Sequence, residues 1–258
     1  MKTALALSPH LDDAAFSCGG LLAVLRDAGW RTVVATVFTC SVPNPAGFAL
    51  ACQLDKGLDA TVDYMALRRT EDAAACAALD AEPRWLDFAE APHRGYDSAP
   101  ALFGAVRDDA WRDITPAIAT LLAELQPDLV LSPSGMGGHV DHRHVIRAAL
   151  PLVTPGRHAF YRDTPYAIRN PHGPLHVDTS GLICVDVDIA AGLNRKVSAS
   201  TAYASQVGYQ FGGAGPAGAA LREFAWAEGK SFPAEIFYAS PDLIPVGVSR
   251  DSLERATL

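Results

Sequence analysis

The chain has no run of lysine or arginine, and its 29 acidic residues outnumber its 21 basic ones. With a formal net charge of −8, it lacks the basic surface that attracts a phosphate backbone, so we expect no nucleic-acid partner. No apolar stretch approaches the length of a membrane-spanning helix, and we expect no membrane partner. Internal repeats and low-complexity linkers are also missing, which argues against a solenoid or a linker-joined array.

Cysteine is scarce. The five cysteines are an odd number, and no two of them have the short spacing of a zinc ribbon or a redox pair. This usage favours buried thiols in a reducing compartment. The N-terminal lysine and short apolar run resemble a signal peptide, but Asp12 and Asp13 stand where small residues should mark the cleavage site. We therefore expect a cytoplasmic location.

The overall composition is that of a globular protein, with 49% hydrophobic and 19% charged residues. A length of 258 residues suits one domain better than two, so we predict a single domain over residues 1–258. Short apolar segments alternate with segments of helical periodicity. This alternation predicts an α/β class: a Rossmann-like layered fold with a mostly parallel central sheet flanked by helices.

The periodicity of apolar residues gives approximate bounds for these elements. The predicted strands are residues 3–8, 32–39, 84–88, 128–132, 158–161, 182–187 and 234–239. The predicted helices are residues 12–27, 62–79, 114–125, 141–150 and 189–206. We interpret the proline- and glycine-containing residues 42–61 as a mobile insertion, and residues 208–218 as a glycine-rich segment.

Two of the predicted strand-to-helix loops contain side chains that bind metals. His10 to Asp13 directly follow the first strand, and His139 to His142 come soon after the strand of residues 128–132. In open α/β sheets, ligands bind at the carboxyl ends of strands, which is where both loops lie. Imidazole and carboxylate suit Zn²⁺, and also Fe²⁺ or another divalent ion. Two histidines and one aspartate would satisfy the three protein ligands of a catalytic zinc site.

Each loop also has a purely structural explanation. Asp12 and Asp13 could cap a helix and favour its positive end. His139 and His142 could be surface residues at a helix start. The occurrence of both loops at corresponding ends of two buried strands favours a metal site. A second carboxylate beside the ligands, Asp12, could then accept a proton from the water that the metal activates.

With these motifs the sequence resembles the PIG-L or LmbE-like N-acetylglucosaminyl deacetylases, zinc enzymes that act on N-acetylglucosamine-type substrates. The resemblance rests on His10-Leu11-Asp12-Asp13-Ala14 and on the His-x-Asp-His motif of residues 139–142, which Gly137-Gly138 precede. Weaker matches extend it over most of the chain; they are Gly19-Gly20, Arg68-Arg69-x-Glu71 and Lys196…Tyr203-x-Ser205-Gln206.

The resemblance implies a role for each motif position. The metal ligands would be His10, Asp13 and His142. Asp12 would be the general base and later the acid toward the leaving amine. His139 would be protonated and would stabilise the tetrahedral oxyanion. Asp141 would orient His139 and tune its charge.

The chain departs from the family pattern at three points. Leu11 replaces the usual proline, and Ala14 replaces the usual glutamate, which is not expected to be a direct ligand. A tyrosine that some members place just before the second motif does not occur in Ser134 to Gly138. Its contribution to the oxyanion pocket is therefore absent or comes from elsewhere in the chain.

Residues that contact the substrate are sought in two places. Arg68 resembles a family position that binds the sugar or its aglycone, and a solvated helix face is the alternative. The segment from Glu90 to Tyr96 mixes polar and aromatic residues at a strand end, which suits sugar binding, although a surface turn would also explain it. Its candidate residues are His93, Arg94 and Tyr96.

Three functions stay open at this point. The first is zinc-dependent removal of an N-acetyl group from a small-molecule N-acetylglucosamine conjugate. The second keeps the metal and changes the substrate to another N-acyl amide, such as an antibiotic or a lipid-linked amino sugar, held by residues 42–61 and 208–218. The third is a non-catalytic metal- or sugar-binding module, which Ala14 suggests and Asp12 opposes. Dinucleotide binding has little support because its glycine fingerprint is missing, and the resemblance leaves room for a homo-oligomer.

Overall fold

Seven strands form one sheet in the computed structural model, which describes residues 1–243. They are β1 (Thr3–Ser8), β2 (Arg31–Thr36), β3 (Glu82–Trp85), β4 (Leu129–Pro133), β5 (His158–Tyr161), β6 (Ile183–Asp188) and β7 (Ala234–Ala239). Their order is β3-β2-β1-β4-β5-β7-β6; β1 to β5 are parallel, and β7 runs antiparallel to β5 and β6. The predicted fold class is confirmed. The predicted single domain includes residues 244–258, which lie outside the described residues.

Helices cover both faces of this sheet. They are α1 (Asp13–Asp27), α2 (Gly47–Leu54), α3 (Tyr64–Leu79), α4 (Ala99–Leu102), α5 (Ala110–Leu125), α6 (Val140–Ala149), α7 (Tyr166–Arg169), α8 (Leu193–Thr201), α9 (Ala204–Phe211) and α10 (Ala214–Gly229). Within residues 1–243, none of these helices has the length and apolar character needed to cross a membrane.

Strand β1 lies at the centre of the fold and is buried along its whole length. Its side chains alternate between the two faces: Ala4 and Ala6 belong to the core with α1, α3 and α8, while Leu5 and Leu7 belong to the core with α5 and α6. A parallel strand covered on both sides has to be apolar throughout, which explains the unbroken run TALAL. Because β1 pairs with both β2 and β4, its carboxyl end opens at the middle of the sheet edge.

Three predicted segments differ from the structure. Residues 42–61 contain α2, and the Gln53 side chain donates hydrogen bonds to the carbonyls of Asp59 and Val62, which closes the following turn. The predicted helix 189–206 is divided into α8 and α9 near Tyr203. The Tyr203 ring is buried in the core, and its hydroxyl donates a hydrogen bond to Asp72. Residues 208–218 are mostly helical, with a break at Gly212 and Gly213 where φ is positive. The high glycine content of this segment is compatible with a loop and also with closely packed helices, so it did not predict which of the two occurs.

A close contact fixes α1 against β7 and α8. The Glu235 carboxylate accepts hydrogen bonds from the backbone N–H groups of Gly20 and Leu21, both at 2.8 Å, and pairs with the Lys196 ammonium at 2.6 Å. A Cβ atom on Gly20 would lie 2.7 Å from Ile189 Cδ1 and 2.9 Å from Glu235 Oε1. The approach of Glu235 to a helix backbone therefore requires glycine at this position.

We expect Gly20→Ala to lower the free energy of unfolding by about 1–3 kcal/mol, because the methyl group overlaps Ile189 and Glu235. Gly19→Ala is the matched control, since its Cβ would meet only ordinary contacts, the nearest at 3.5 Å to Lys196 Cγ. Alanine there should be neutral or stabilise the helix by up to about 1 kcal/mol. Urea denaturation of both variants tests the difference, and equal destabilisation would contradict it.

Candidate active site and metal centre

The two motif loops meet because the strands that carry them are neighbours. β1 pairs with β4 through Ala4–Leu129 to Ala6–Leu131, so the loops that follow both strands leave the same edge of the sheet. The first loop is held locally: Ser8 Oγ donates to the His10 carbonyl at 2.6 Å and accepts from Ala14 N–H at 3.0 Å. The local sequence thus puts histidine and aspartate side chains in each loop, and the pairing of β1 with β4 brings the two loops together.

Leu11 and Ala14, the two departures from the family pattern, lie in the core rather than on the surface. Their exposures are 0% and 1%, and both belong to the apolar cluster around α1. The backbone N–H of His10 donates to Asp13 Oδ2 at 2.8 Å, so the turn around Leu11 is closed without proline. With both replacements present, the proposed ligands still lie within 3.2 Å of Asp13 Oδ2.

Asp13 lies between two imidazoles. Its Oδ2 atom is 3.2 Å from Nδ1 of His10 and 3.2 Å from Nε2 of His142. Ligands bound tetrahedrally to Zn²⁺ at its usual bond lengths are about 3.3 Å apart, so this spacing fits one ion. Among residues 1–243, Nε2 of His142 is buried and makes no hydrogen bond, so this nitrogen could bind an ion. Burial alone would raise the pKa of Asp13, but the neighbouring His142 and His10 hold it well below its usual value.

A second grouping of ligand atoms overlaps the first. One nitrogen atom from each of His10, His139 and His142 lies within 4.8 Å of the others. His139 would then replace Asp13 as a ligand. We favour Asp13, because its oxygen has the shorter 3.2 Å spacing to both other side chains. The ligand set of His10, Asp13 and His142 stays a prediction.

Asp163 supports the centre and was not among the predicted residues. Its Oδ1 atom is 2.6 Å from Nδ1 of His142, while its Oδ2 atom accepts hydrogen bonds from the backbone of Ser134 and Met136 and from Ser134 Oγ. A carboxylate on the far nitrogen of a ligating histidine orients the ring and raises its basicity. Asp163 follows β5 at the same sheet edge, and this position after a predicted strand is the feature of the sequence that could have indicated its role.

Asp12 is a buried acid beside the metal centre. It occupies the N-cap position of α1, but its side chain makes no capping hydrogen bond there. Its Oδ1 atom is 3.3 Å from Nη2 of Arg68, and Nη1 of Arg68 is 2.5 Å from Glu90 Oε1. Burial raises the pKa of Asp12 to about 6, although the charge of Arg68 opposes this rise. Arg68 itself is only 3% exposed, so it is not part of a solvated helix face.

Asp141 does not orient His139 in the predicted way. Its carboxylate contacts Nε2 of His10 at 2.9 Å and Nη2 of Arg94 at 2.8 Å, and no ring nitrogen of His139 lies within salt-bridge distance of it. Instead, the backbone N–H of Asp141 donates to Nδ1 of His139 at 3.2 Å. Burial, together with the charge of His10, lowers the pKa of His139 to about 3, which favours a neutral ring over the predicted protonated one.

The residues predicted in the segment from Glu90 to Tyr96 divide into two groups. His93 is half-buried and lines the cavity above the motif residues. Tyr96 is fully buried and donates from its hydroxyl to Asp108 at 3.1 Å. Arg94 spans Asp141 and Asp108, the latter at 2.7 Å. Arg94 and Tyr96 are not among the residues that line the cavity, and their prediction as substrate contacts is corrected: Asp108 binds both side chains, and buried Asp141 also binds Arg94.

The cavity extends outward from the motif residues, and helices α2, α3 and α9 form much of its wall. Tyr166, at the start of α7, lines it beside His139, and its ring meets that of His142 edge-on with centroids 5.7 Å apart. A Cβ atom on Gly137, where φ is +84°, would lie 2.5 Å from the Tyr166 ring. A tyrosine from elsewhere in the chain thus packs against the loop of the second motif.

Fold and site together define the class: an amide hydrolase with a centre suited to a divalent metal. The chain belongs to the PIG-L family, described as GlcNAc-PI de-N-acetylase, whose model matches residues 5–153. A characterised relative, the 2'-N-acetylparomamine deacetylase of Streptomyces fradiae, is 36% identical over 210 residues, which are 78% of this chain and 72% of the relative.

Solved structures agree with this assignment. The zinc-inhibited form of teicoplanin deacetylase superposes with a TM-score of 0.80 at 26% identity, over 93% of this chain and 100% of that one. The deacetylase of A40926 pseudoaglycone gives a TM-score of 0.77 at 30% identity, over 92% of this chain and 96% of that one. The predicted family and the predicted deacetylase class are confirmed.

We expect Arg94→Met to weaken metal binding by about 10- to 100-fold, because Asp141 would lose the partner that fixes it against His10. Arg26→Met is the control, since Arg26 pairs with Asp80 at an exposed site at the far end of α1. Titration of metal-free protein against a fluorescent zinc chelator measures both affinities, with thermal melts to verify folding. Unchanged affinity in a folded Arg94→Met variant would show that Asp141 holds His10 without help.

Proposed function

We propose that this protein hydrolyses the N-acetyl group of an N-acetylglucosamine-type conjugate, with a divalent ion held by His10, Asp13 and His142. The observation that carries the proposal is the position of Asp13 Oδ2, at 3.2 Å from both imidazoles, next to the buried acid Asp12. A divalent ion bound there polarises the acyl oxygen and lowers the pKa of water.

Asp12 is the residue that moves the proton. Its carboxylate accepts a proton from the attacking water and returns it to the nitrogen of the departing amine, which leaves acetate and a free amino sugar. A pKa of about 6, raised by burial and restrained by Arg68, suits a group that must both accept and donate near neutral pH. Arg68 also holds Asp12 in place, since its other nitrogen is anchored on Glu90.

His139 supplies a hydrogen bond to the acyl oxygen as negative charge develops there. Because its Nδ1 atom accepts from the Asp141 backbone N–H, a neutral ring carries its proton on Nε2 and can donate it. A neutral donor therefore replaces the protonated histidine expected from the family resemblance. Tyr166 lines the same cavity and is a second candidate donor.

A second candidate substrate is an antibiotic conjugate. The relatives act on 2'-N-acetylparomamine, on teicoplanin and on A40926 pseudoaglycone, according to their names. The cavity wall formed by α2 and α9 also supports a substrate with an aglycone beyond the acetylated sugar. A non-catalytic binding module has less support, because such a protein gains little from a buried acid like Asp12.

We propose Zn²⁺ as the metal, with Fe²⁺ or another divalent ion as the alternative. Because one relative is described in a zinc-inhibited form, activity assays of this protein have to vary the amount of zinc. A cytoplasmic location, a single domain over residues 1–258, a homo-oligomer, and the absence of nucleic-acid and membrane partners also stay predictions.

The proposal is tested by a screen of N-acetylated amino-sugar conjugates for release of a primary amine and acetate. We expect turnover with one equivalent of Zn²⁺ or Fe²⁺, loss of turnover after a chelator, and recovery when the metal returns. The panel contains N-acetylglucosamine, simple glycosides and antibiotic-type conjugates. Turnover that persists in rigorously metal-free protein would overturn the metal-dependent function.

We expect Asp12→Asn to lower kcat by about 10²- to 10⁴-fold, because the amide cannot accept the proton of the attacking water. Metal affinity should stay within about threefold of the parent protein, since Asp12 is not a proposed ligand. The matched variant is the neighbour, Asp13→Asn, which should lose metal affinity as well as activity. Metal stoichiometry of both purified variants checks this division, and equal metal loss in the two would contradict it.

A further inference from the structure

Lys56 lies in the outer part of the active-site cavity, two residues beyond the end of α2. Its ammonium is held between two aromatic rings, 5.4 Å from the centroid of Tyr64 and 5.1 Å from that of Tyr209. One hydrogen bond ties it back to the carbonyl of Cys52, at 2.9 Å. The three side chains all line the cavity that contains Asp12 and His139.

Among residues 1–243, Lys56 has no carboxylate within salt-bridge distance, 4.0 Å. The other cation that lines the cavity, Arg68, is paired with Asp12 and Glu90. Burial lowers the pKa of Lys56, and the charge of Arg68 lowers it further. A partly buried ammonium with no anionic partner is uncommon, because removing it from water is costly without one.

The nearby carboxylates of the cavity already have other partners. Glu90 is bound to Arg68 at 2.5 Å. Asp63 accepts hydrogen bonds from the Ser41 hydroxyl and from the Ala66 backbone at the start of α3. Neither pairs with Lys56, and two of its three N–H bonds have no hydrogen-bond acceptor among the described residues. The rings of Tyr64 and Tyr209 keep the ammonium in the cavity by cation–π attraction.

We propose that Lys56, with Tyr64 and Tyr209, forms a subsite for an oxyanion, either carboxylate or phosphate, on the aglycone of the conjugate. The proposal rests on the proposed function, since it names a part of that substrate. An oxyanion supplies the missing partner of the ammonium through charge-assisted hydrogen bonds. An aglycone that presents an ammonium group there meets a like charge and binds more weakly.

A structural role for Lys56 is the competing explanation. Its contact with Tyr209 joins α2 to α9, so the side chain could serve as a clamp between the two helices. A clamp changes thermal stability and affects all substrates equally. A subsite changes the order in which substrates of different charge are preferred.

The experiment compares four N-acetylglucosaminides that share one short linker and end in carboxylate, phosphate, hydroxyl or ammonium. For the metal-loaded parent protein we expect kcat/KM for the two anions to exceed that for the ammonium compound by about 10- to 100-fold, mainly through KM. Lys56→Met should remove this preference and Lys56→Arg should retain it. Comparison of the carboxylate compound with the phosphate compound shows which of the two oxyanions the subsite prefers.

Lys2→Met is the matched control. Lys2 also lies over an aromatic ring, at 5.1 Å from the Trp30 centroid, but at the exposed amino end of β1. This variant should keep the charge preference of the parent protein. No charge preference in the parent, or an equal loss for all four compounds in Lys56→Met with a lower Tm, would overturn the subsite.

The same compounds separate failure of the subsite from failure of the proposed function. If none is deacetylated, the proposed function fails, and calorimetric binding of the linker carboxylate and phosphate still tests Lys56. Weaker binding in Lys56→Met than in Lys2→Met then supports the subsite alone. Equal binding by the two variants overturns it.

Discussion

Buried charge is the constraint on which the arrangement of this site depends. Asp12, Asp13, Asp141 and Asp163 are each at most 5% exposed, at one edge of the sheet. An ionised group at such depth requires a partner, because its removal from water costs several kcal/mol in real proteins. Arg68 is the partner of Asp12, and Arg94 and the motif histidines are the partners of the other three aspartates. The chemistry proposed for Asp12 is therefore inseparable from the network that keeps it buried.

The same constraint explains which parts of the site were predictable. His10, Asp13 and His142 lie on two local motifs, and the order of buried strands was enough to bring them together. The roles of Arg94 and Tyr96 depended on Asp108, which lies in an irregular segment before α5 and carries no motif of its own. A polar segment at a strand end looks alike in sequence whether it faces a substrate or supports a buried carboxylate.

The fold was predicted more completely than the site. All seven strands occur near their expected bounds, and the central ones, such as β1 and β4, are buried throughout and therefore consist mainly of continuous apolar runs. The helices that were missed are α2, α4, α7 and α10, and α2 ends in a turn that the hydrogen bonds of Gln53 close. The residues of the reacting centre lie within the part matched by the family, 5–153, whereas Tyr166 and Tyr209 lie beyond it. Lys56 and Tyr64 lie within the matched part, so the proposed oxyanion subsite combines residues from both stretches of the chain.

Each proposed ligand also contacts another side chain of the protein: His10 contacts Asp141, His142 contacts Asp163, and Asp13 lies between the two rings. A carboxylate on the second nitrogen of a ligating histidine fixes its ring, so the protein sets the geometry that it offers to an ion. Cobalt in place of zinc would report that geometry as a coloured, paramagnetic ion, visible to absorption and resonance spectroscopy.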